Sequence, residues 1–277
     1  MQDENASELT YDWSVKAAVA LFAVLFAWWI YLTAAYAPDQ ALTAKGIWGA
    51  SYQVLALWGG AWGLIVSRSW GGRRSVMGRA IGAFGIGMLL QVLGQSVFSW
   101  YNLFAGVEMP YPSLADLGYF GSIPFYAYGI YNLGRASGIR VSLKSVSSQI
   151  QAVAIPVVVL GMSYFYFLRS YEFDWSSPLR VFLDFGYPLG QAFYVSVALL
   201  VYLLSRKTLG GAMKEKVLFI LAALAVQYLA DYNFLYQAAA GSWGVSGYGD
   251  VVYMTAYFLM GVGLIQLKAH LVNAKSS

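Results

Sequence analysis

The sequence predicts an all-α polytopic membrane protein of about eight transmembrane helices, and three observations predict it. First, 59% of the 277 residues are hydrophobic and only 11% are charged, where soluble domains carry about 25% charged residues. Second, the apolar residues fall into runs of roughly 20, the length that crosses about 30 Å of hydrocarbon at 1.5 Å per residue. Third, an Asp-x-x-Tyr step recurs at near-constant spacing, as Asp116-Leu-Gly-Tyr119, Asp184-Phe-Gly-Tyr187 and Asp250-Val-Val-Tyr253. The intervals leave room for two crossings and two loops, the mark of an internally repeated helical hairpin.

The crossings are taken in order. The first, 15–36, follows no basic flank and no cleavage signal, so it reads as a retained membrane helix. The second, 47–67, carries Gly59 and Gly63, with Trp58 and Trp62 four apart on one face. The third, 79–104, ends in Ser99-Trp100-Tyr101-Asn102. The fourth, 114–134, opens on Asp116 and holds Pro124. The fifth, 148–168, holds Pro156. The sixth, 180–204, opens behind Ser177-Pro178, an N-cap followed by proline at the first helical position, and holds Pro188. The seventh, 217–239, contains Asp231, and the eighth, 250–268, opens on Asp250. The chain thus divides into a tail (1–14), a first helix pair (15–78), three hairpin repeats (79–268) and a second tail (269–277). The first pair lacks the step and is either a degenerate fourth hairpin or an addition.

Small residues at helix-packing spacing (Gly59 and Gly63, Gly78 and Gly82, Gly186 and Gly190) allow close backbone approach in lipid. The internal prolines each remove a helical hydrogen bond and are expected to bend their helices. Tryptophans such as Trp28, Trp29, Trp48, Trp100, Trp175 and Trp243 fall near predicted interfaces, where amphipathic rings settle.

Orientation follows from Lys and Arg. One set of alternate ends carries 14 of the 17 basic residues, and the other carries Lys45, Arg169 and Arg180. Cytoplasmic loops hold the excess, so both termini are expected in the cytoplasm of a prokaryotic cell. The net charge of +4 is therefore an orientation signal and does not argue for nucleic acid.

Familiar chemistries fall away. There is no cysteine, and the one histidine, His270, lies beyond the last crossing, which removes thiolate and bis-histidine sites. No mid-membrane lysine offers a Schiff base, and no phosphate-binding loop or nucleophile elbow is present. Neither an enzyme nor a cofactor or metal is expected.

The remaining polar groups gather towards the outer side: Asp116, Asp184, Asp231 and Asp250, with Gln95, Asn102, Gln191, Gln227, Asn233 and Gln237. Charges within spans face the bundle interior and mark function by default. The candidate ligand-binding set is Asp231, Asp184, Asp116, Asp250, Arg180, Tyr119, Tyr187, Tyr253, Trp100, Asn102 and Asn233. A competing reading stands beside it. Asp116, three residues after Ser113, has capping-box spacing, Asp250 after Gly249 reads as a cap, and acidic residues in a first turn complement the helix dipole. Asp231 has no such explanation, lying about 12 Å by helical rise from the outer end of its helix. It is either one half of an ion pair, with a partner such as Arg180, or a site for a ligand, cation or proton.

The stretch Pro110-Tyr-Pro-Ser-Leu-Ala-Asp116-Leu-Gly-Tyr119, followed by Pro124 and Gly129, resembles a signature of multi-pass membrane sensor regions. Those regions precede diguanylate cyclase, phosphodiesterase or histidine kinase domains. The resemblance implies a membrane-embedded input module. The sequence ends nine residues after the last crossing, so the expectation is a stand-alone relative with a separate cytoplasmic signalling partner. Two other classes stay open: a small cation- or proton-coupled transporter or channel, and an accessory subunit of a membrane complex.

Overall fold

A computed structural model describes residues 12–37, 39–107, 109–137, 145–169, 174–205, 212–239 and 242–268. Every long element among them is a helix: α1 (Trp13–Ala35), α2 (Leu42–Ser51), α3 (Gln53–Ser69), α4 (Val76–Trp100), α5 (Ala115–Ala136), α6 (Val146–Ser163), α7 (Pro178–Ser205), α8 (Ala212–Ala239) and α9 (Tyr248–Gln266). The helix starts have local causes. Asp12, Ser75 and Ser145 cap α1, α4 and α6, each side chain accepting from a backbone N–H of the first turn. Wide π turns, Tyr101–Ala105 and Tyr164–Leu168, finish α4 and α6. Pro124, Pro156 and Pro188 all lie within continuous helices.

Among the described residues six helices are long and apolar enough to cross a membrane: Trp13–Ala35, Val76–Ala105, Ser147–Tyr166, Pro178–Leu204, Lys216–Gln237 and Tyr248–Gln266. Two of the eight predicted crossings differ. The segment 47–67 is divided at Tyr52 between α2 and α3, leaving α3 with 17 residues. Helix α5 has 22 residues, but its tyrosines, Asn132 and glycines keep it below the apolarity of the other six. The predicted tails, 1–11 and 269–277 including His270, lie outside the described residues, as do the loop cations Arg140, Lys144, Arg206 and Lys207.

Six helices close into a ring. In order around it, α3 packs on α4, α4 on α5, α5 on α7, α7 on α8, α8 on α9, and α9 returns to α3. Helix α6 lies outside against α7, and α1 lies outside against α9. Glycines permit the tightest contacts. A Cβ on Gly118 of α5 would stand 2.3 Å from the Gly94 nitrogen of α4, and one on Gly59 would stand 2.6 Å from Gly261 Cα of α9. Gly186 and Gly190 of α7 form a shallow groove that receives Phe120 and Ile123 of α5.

The inner half of the ring is mainly apolar. Met88, Ile130, Leu133, Ile220, Leu224 and Leu264, from four of its helices, are each 0% exposed. Burial of this kind contributes roughly 25 cal/mol per Å² of apolar surface against water. In lipid, close packing itself takes over as the source of specificity. The start of α1 and the end of α9 are joined by an ion pair. Lys268 Nζ stands 2.9 Å from Asp12 Oδ2, donates to Ser14 Oγ at 2.7 Å, and lies 4.0 Å from the Trp62 ring centroid. Trp58 donates to the Ser14 carbonyl, and Trp13 meets both Trp58 and Trp62 edge-on. This tryptophan pair packs a helix junction and does not line the central space. Burial pushes the Asp12 carboxyl up, but the hydrogen bonds from Lys268 and Ser14 outweigh it, and the carboxyl rests below its ordinary value.

Candidate functional site

The outer half of the ring is polar and aromatic. Helix α4 presents Gln91 and Gln95 one turn apart. Gln95 Nε2 donates to the Gly49 carbonyl at 3.0 Å and its Oε1 accepts from the Tyr119 hydroxyl at 2.7 Å. Gln91 Nε2 donates to Ser122 Oγ at 2.8 Å and its Oε1 accepts from the Tyr257 hydroxyl at 3.1 Å. Ser122 passes its own proton to the Tyr119 carbonyl at 2.7 Å. Four helices, α2, α4, α5 and α9, are tied together through these side chains.

Helix α8 repeats the pattern with Gln227 and Asp231. The Tyr253 hydroxyl donates to Asp231 Oδ1 at 2.8 Å, and Gln227 Nε2 lies 3.4 Å from the same oxygen. Asp231 therefore takes the place on α8 that Gln95 takes on α4, each accepting the phenol of the Asp-x-x-Tyr step that follows it. In the sequence Asp231 looks isolated from the repeated step. The structure makes it a partner of the third one.

The first and third steps cap their helices as well. Asp116 Oδ2 accepts from the Ser113 backbone N–H and Asp250 Oδ2 from that of Ser246, both at 2.7 Å. The N-cap of α9 is Gly247, so Asp250 sits in the first turn and reaches back beyond the cap. Asp116 has a second role, because its Oδ1 accepts from the Tyr187 hydroxyl at 2.7 Å. Asp184 differs from both. It accepts from the Tyr111 hydroxyl at 2.8 Å and lies 3.8 Å from Arg180 Nε one turn earlier. Burial and the Asp184 carboxylate push the Tyr111 phenol well above its ordinary value.

Arg180 is thus engaged by Asp184 and by the Tyr111 ring, 5.9 Å away, and is not the partner of Asp231. No basic side chain among the described residues pairs with Asp231. Instead five phenols on three helices lie within electrostatic reach of it: Tyr119 and Tyr126 of α5, Tyr194 of α7, and Tyr253 and Tyr257 of α9. Tyr126 and Tyr194 meet edge to face at 5.9 Å and form the inner wall with Tyr257. Asp231, Asp250, Tyr119 and Tyr253 are deep in the bundle and still keep some accessible surface.

Three of the candidates stand apart from this chamber. The Trp100 side chain is 55% exposed and pairs edge-on with Tyr101. Asn102 donates to the Phe98 carbonyl of its own helix. Asn233 sits at the rim, accepting from the Tyr248 hydroxyl at 2.7 Å and donating to Gln237. Four further residues were not candidates from sequence: Gln91, Tyr257, Tyr52, which hydrogen-bonds the Asp250 side chain, and Ser163, which meets the Tyr232 hydroxyl. For Gln91 the signal existed: the Gln91–Gln95 pair and the Gln227–Asp231 pair share a four-residue spacing ahead of an Asp-x-x-Tyr step. Among the described residues no cluster of three or more His, Cys, Asp or Glu side chains could hold a metal ion. The chain matches no family model, no curated protein and no solved structure, so its function has to be read from the chamber itself.

Proposed function

We propose that this protein is a membrane-embedded ligand-binding module with a sensory role. In this reading eight helices cross a prokaryotic cytoplasmic membrane with both termini inside, three hairpins repeat over 79–268, and the chamber opens outward. The observation that carries it is Asp231, an acidic side chain without a basic partner among the described residues, enclosed by phenols from three helices. An acid so placed is held as the neutral form or beside an incoming cation. A carboxylate given hydrogen bonds by its neighbours but no counter-charge is what a site for a cationic ligand requires.

The mainly apolar inner half supports a receptor over a transporter. Six fully buried apolar side chains pack the ring below the chamber, an apolar layer that a transport pathway would have to part. A ligand bridging α5, α7, α8 and α9 would shift their packing, and the shift would reach the basic cytoplasmic ends, where a separate signalling protein would read it. The resemblance of Pro110–Tyr119 to sensor regions points the same way.

Reconstitution into liposomes tests this. Native protein and Asp231→Asn are both expected to leave proton and monovalent-cation gradients intact. Flux in the native protein that disappears in Asp231→Asn would overturn the receptor reading in favour of transport. A histidine kinase or diguanylate cyclase co-purifying stoichiometrically with the chain would support it.

A further inference from the structure

Among the described residues, Ser99 Oγ of α4 and Gln191 Oε1 of α7 are buried oxygens that the hydrogen-bond network leaves over, and Gln191 is the one on the helix that faces Asp116 and Tyr126. Gln191 of α7 is 5% exposed, and its Oε1 finds no hydrogen-bond donor among the described residues. An acceptor in this condition is costly, on the order of 1–3 kcal/mol, which marks a place where a donor belongs. Its direction follows from helix geometry. Gln191 lies four residues after Tyr187 and three before Tyr194, a spacing that puts all three on one face. Tyr187 reaches Asp116, and Tyr194 packs on Tyr126 within reach of Asp231, so that face looks into the ring.

Depth can be matched across the ring. Helices α7 and α8 run in opposite directions, and Ser163 Oγ of α6 joins the Pro188 carbonyl of α7, at 3.4 Å, to the Tyr232 hydroxyl of α8. Gln191 lies within one turn of Pro188 along α7, and Asp231 is the neighbour of Tyr232 on α8. The unpaired acceptor and the carboxylate therefore share a level, with the Tyr126, Tyr194 and Tyr257 rings beneath them. This combination selects a chemistry. The carboxylate asks for a positive charge, the amide oxygen asks for an N–H donor, and phenol faces favour an organic cation over a hydrated inorganic one. A divalent metal ion would demand more oxygen ligands than two acceptors offer, and no metal-holding cluster occurs among the described residues.

Resting on the ligand-binding reading above, we infer that the chamber binds a small protonated primary amine. The ammonium group lies between Asp231 and Gln191 Oε1, and the carbon skeleton lies against the tyrosines. Tyr253 and Gln227, which bond Asp231 from the side, hold its carboxylate in place for this contact.

The test is binding to the full chain in detergent, read by calorimetry and thermal shift. The probes are n-propylammonium and choline, beside their neutral isosteres n-propanol and dimethylbutanol. The expectation is that n-propylammonium binds, that choline, lacking an N–H, binds more weakly, and that neither alcohol binds. Asp231→Asn should weaken n-propylammonium by at least about 10-fold, as loss of a buried charge pair does. Gln191→Leu should weaken it by roughly 3- to 10-fold, the effect of one hydrogen bond, and should erase its advantage over choline. Helical circular dichroism and a single gel-filtration peak identify variants that remain folded. If Asp231→Asn fails that criterion, Gln191→Leu decides by itself.

Equal binding of the alcohols, lost in Asp231→Asn, would overturn the amine assignment and leave the chamber a binding site. Absence of binding by any probe would overturn the amine assignment too. Amine binding together with Asp231-dependent flux would keep the amine site and remove the receptor reading.

Discussion

The Tyr187 hydroxyl donates to Asp116 Oδ1 at 2.7 Å across a sequence separation of 71 residues. The tyrosine of the second Asp-x-x-Tyr step thus bonds the aspartate of the first, while the first and third tyrosines reach back to Gln95 and Asp231. One short motif makes two kinds of bond: two within a helical hairpin and one between neighbours. The between-neighbour bond fastens α7 to α5, beside the groove where Gly186 and Gly190 receive Phe120 and Ile123.

Tyr187→Phe removes this fastening and nothing else of the ring's polar network. Asp116 keeps the Ser113 N–H, so the loss should be about 1–2 kcal/mol, the worth of one hydrogen bond to a charged group. Thermal unfolding in detergent of Tyr187→Phe, Asp116→Asn and the double variant closes a cycle. Strictly additive effects would mean that the bond does not couple the two helices.

Gly118→Ala and Gly161→Ala form a matched pair. A methyl at Gly118 would meet backbone atoms of α4 at 2.3 and 2.4 Å, whereas one at Gly161 of α6 meets nothing within 4 Å. Overpacking against backbone costs about 1–3 kcal/mol, and alanine gains up to about 1 kcal/mol over glycine in a helix interior. Gly118→Ala should therefore lower the melting temperature and Gly161→Ala should raise it or leave it unchanged. A drop for Gly161→Ala would show that α6 is covered by something besides α7.

The Asp12–Lys268 pair gives a pH dependence of known sign. The folded-state carboxyl titrates below its ordinary value of 3.8, so the pair's contribution is present above that pH. It is lost as pH falls through the lower, folded-state value, because the proton then binds the unfolded chain more readily. The stability advantage of native protein over Asp12→Asn should be constant from neutral pH to about pH 5 and should be lost as pH falls below 3.8 and through the folded-state value. Lys268→Ala should behave like Asp12→Asn. A difference that grows on acidification would be incompatible with the pair.

Much of the helical order could be read from apolar periodicity and from the residues that open each helix: the Ser113–Asp116 box, Ser177-Pro178 and Gly249-Asp250 all stand at or near real helix starts. The outer gathering of carboxylates could be read as well, because charge within an apolar run is conspicuous. What could not be read was closure of the ring. That depends on which helix faces meet, and in this chain tyrosine and glutamine mark the inward faces. Both residue types are equally at home at a lipid interface, so Tyr52 and Tyr257 carry no signal of their own. Trp58 and Trp62 show the reverse: conspicuous in sequence, they pack the junction of α1, α3 and Lys268. The division of 47–67 at Tyr52 was hidden because neither proline nor glycine occupies the break.

Gln191→Leu separates a site residue from a core residue by the direction of its effect. Leucine has nearly the volume of glutamine, so the substitution leaves the packing of α7 against its neighbours intact. It also removes a buried acceptor that has no donor among the described residues. Replacing such a group by an apolar one of similar shape recovers its desolvation cost, about 1–3 kcal/mol, and the melting temperature without ligand should rise. Ligand affinity should fall at the same time, because the acceptor is then missing. Stability gained as function is lost is the expected behaviour of a strained binding site. A structural glutamine would lose stability instead. A lower melting temperature in Gln191→Leu would show that the amide is already satisfied within the protein.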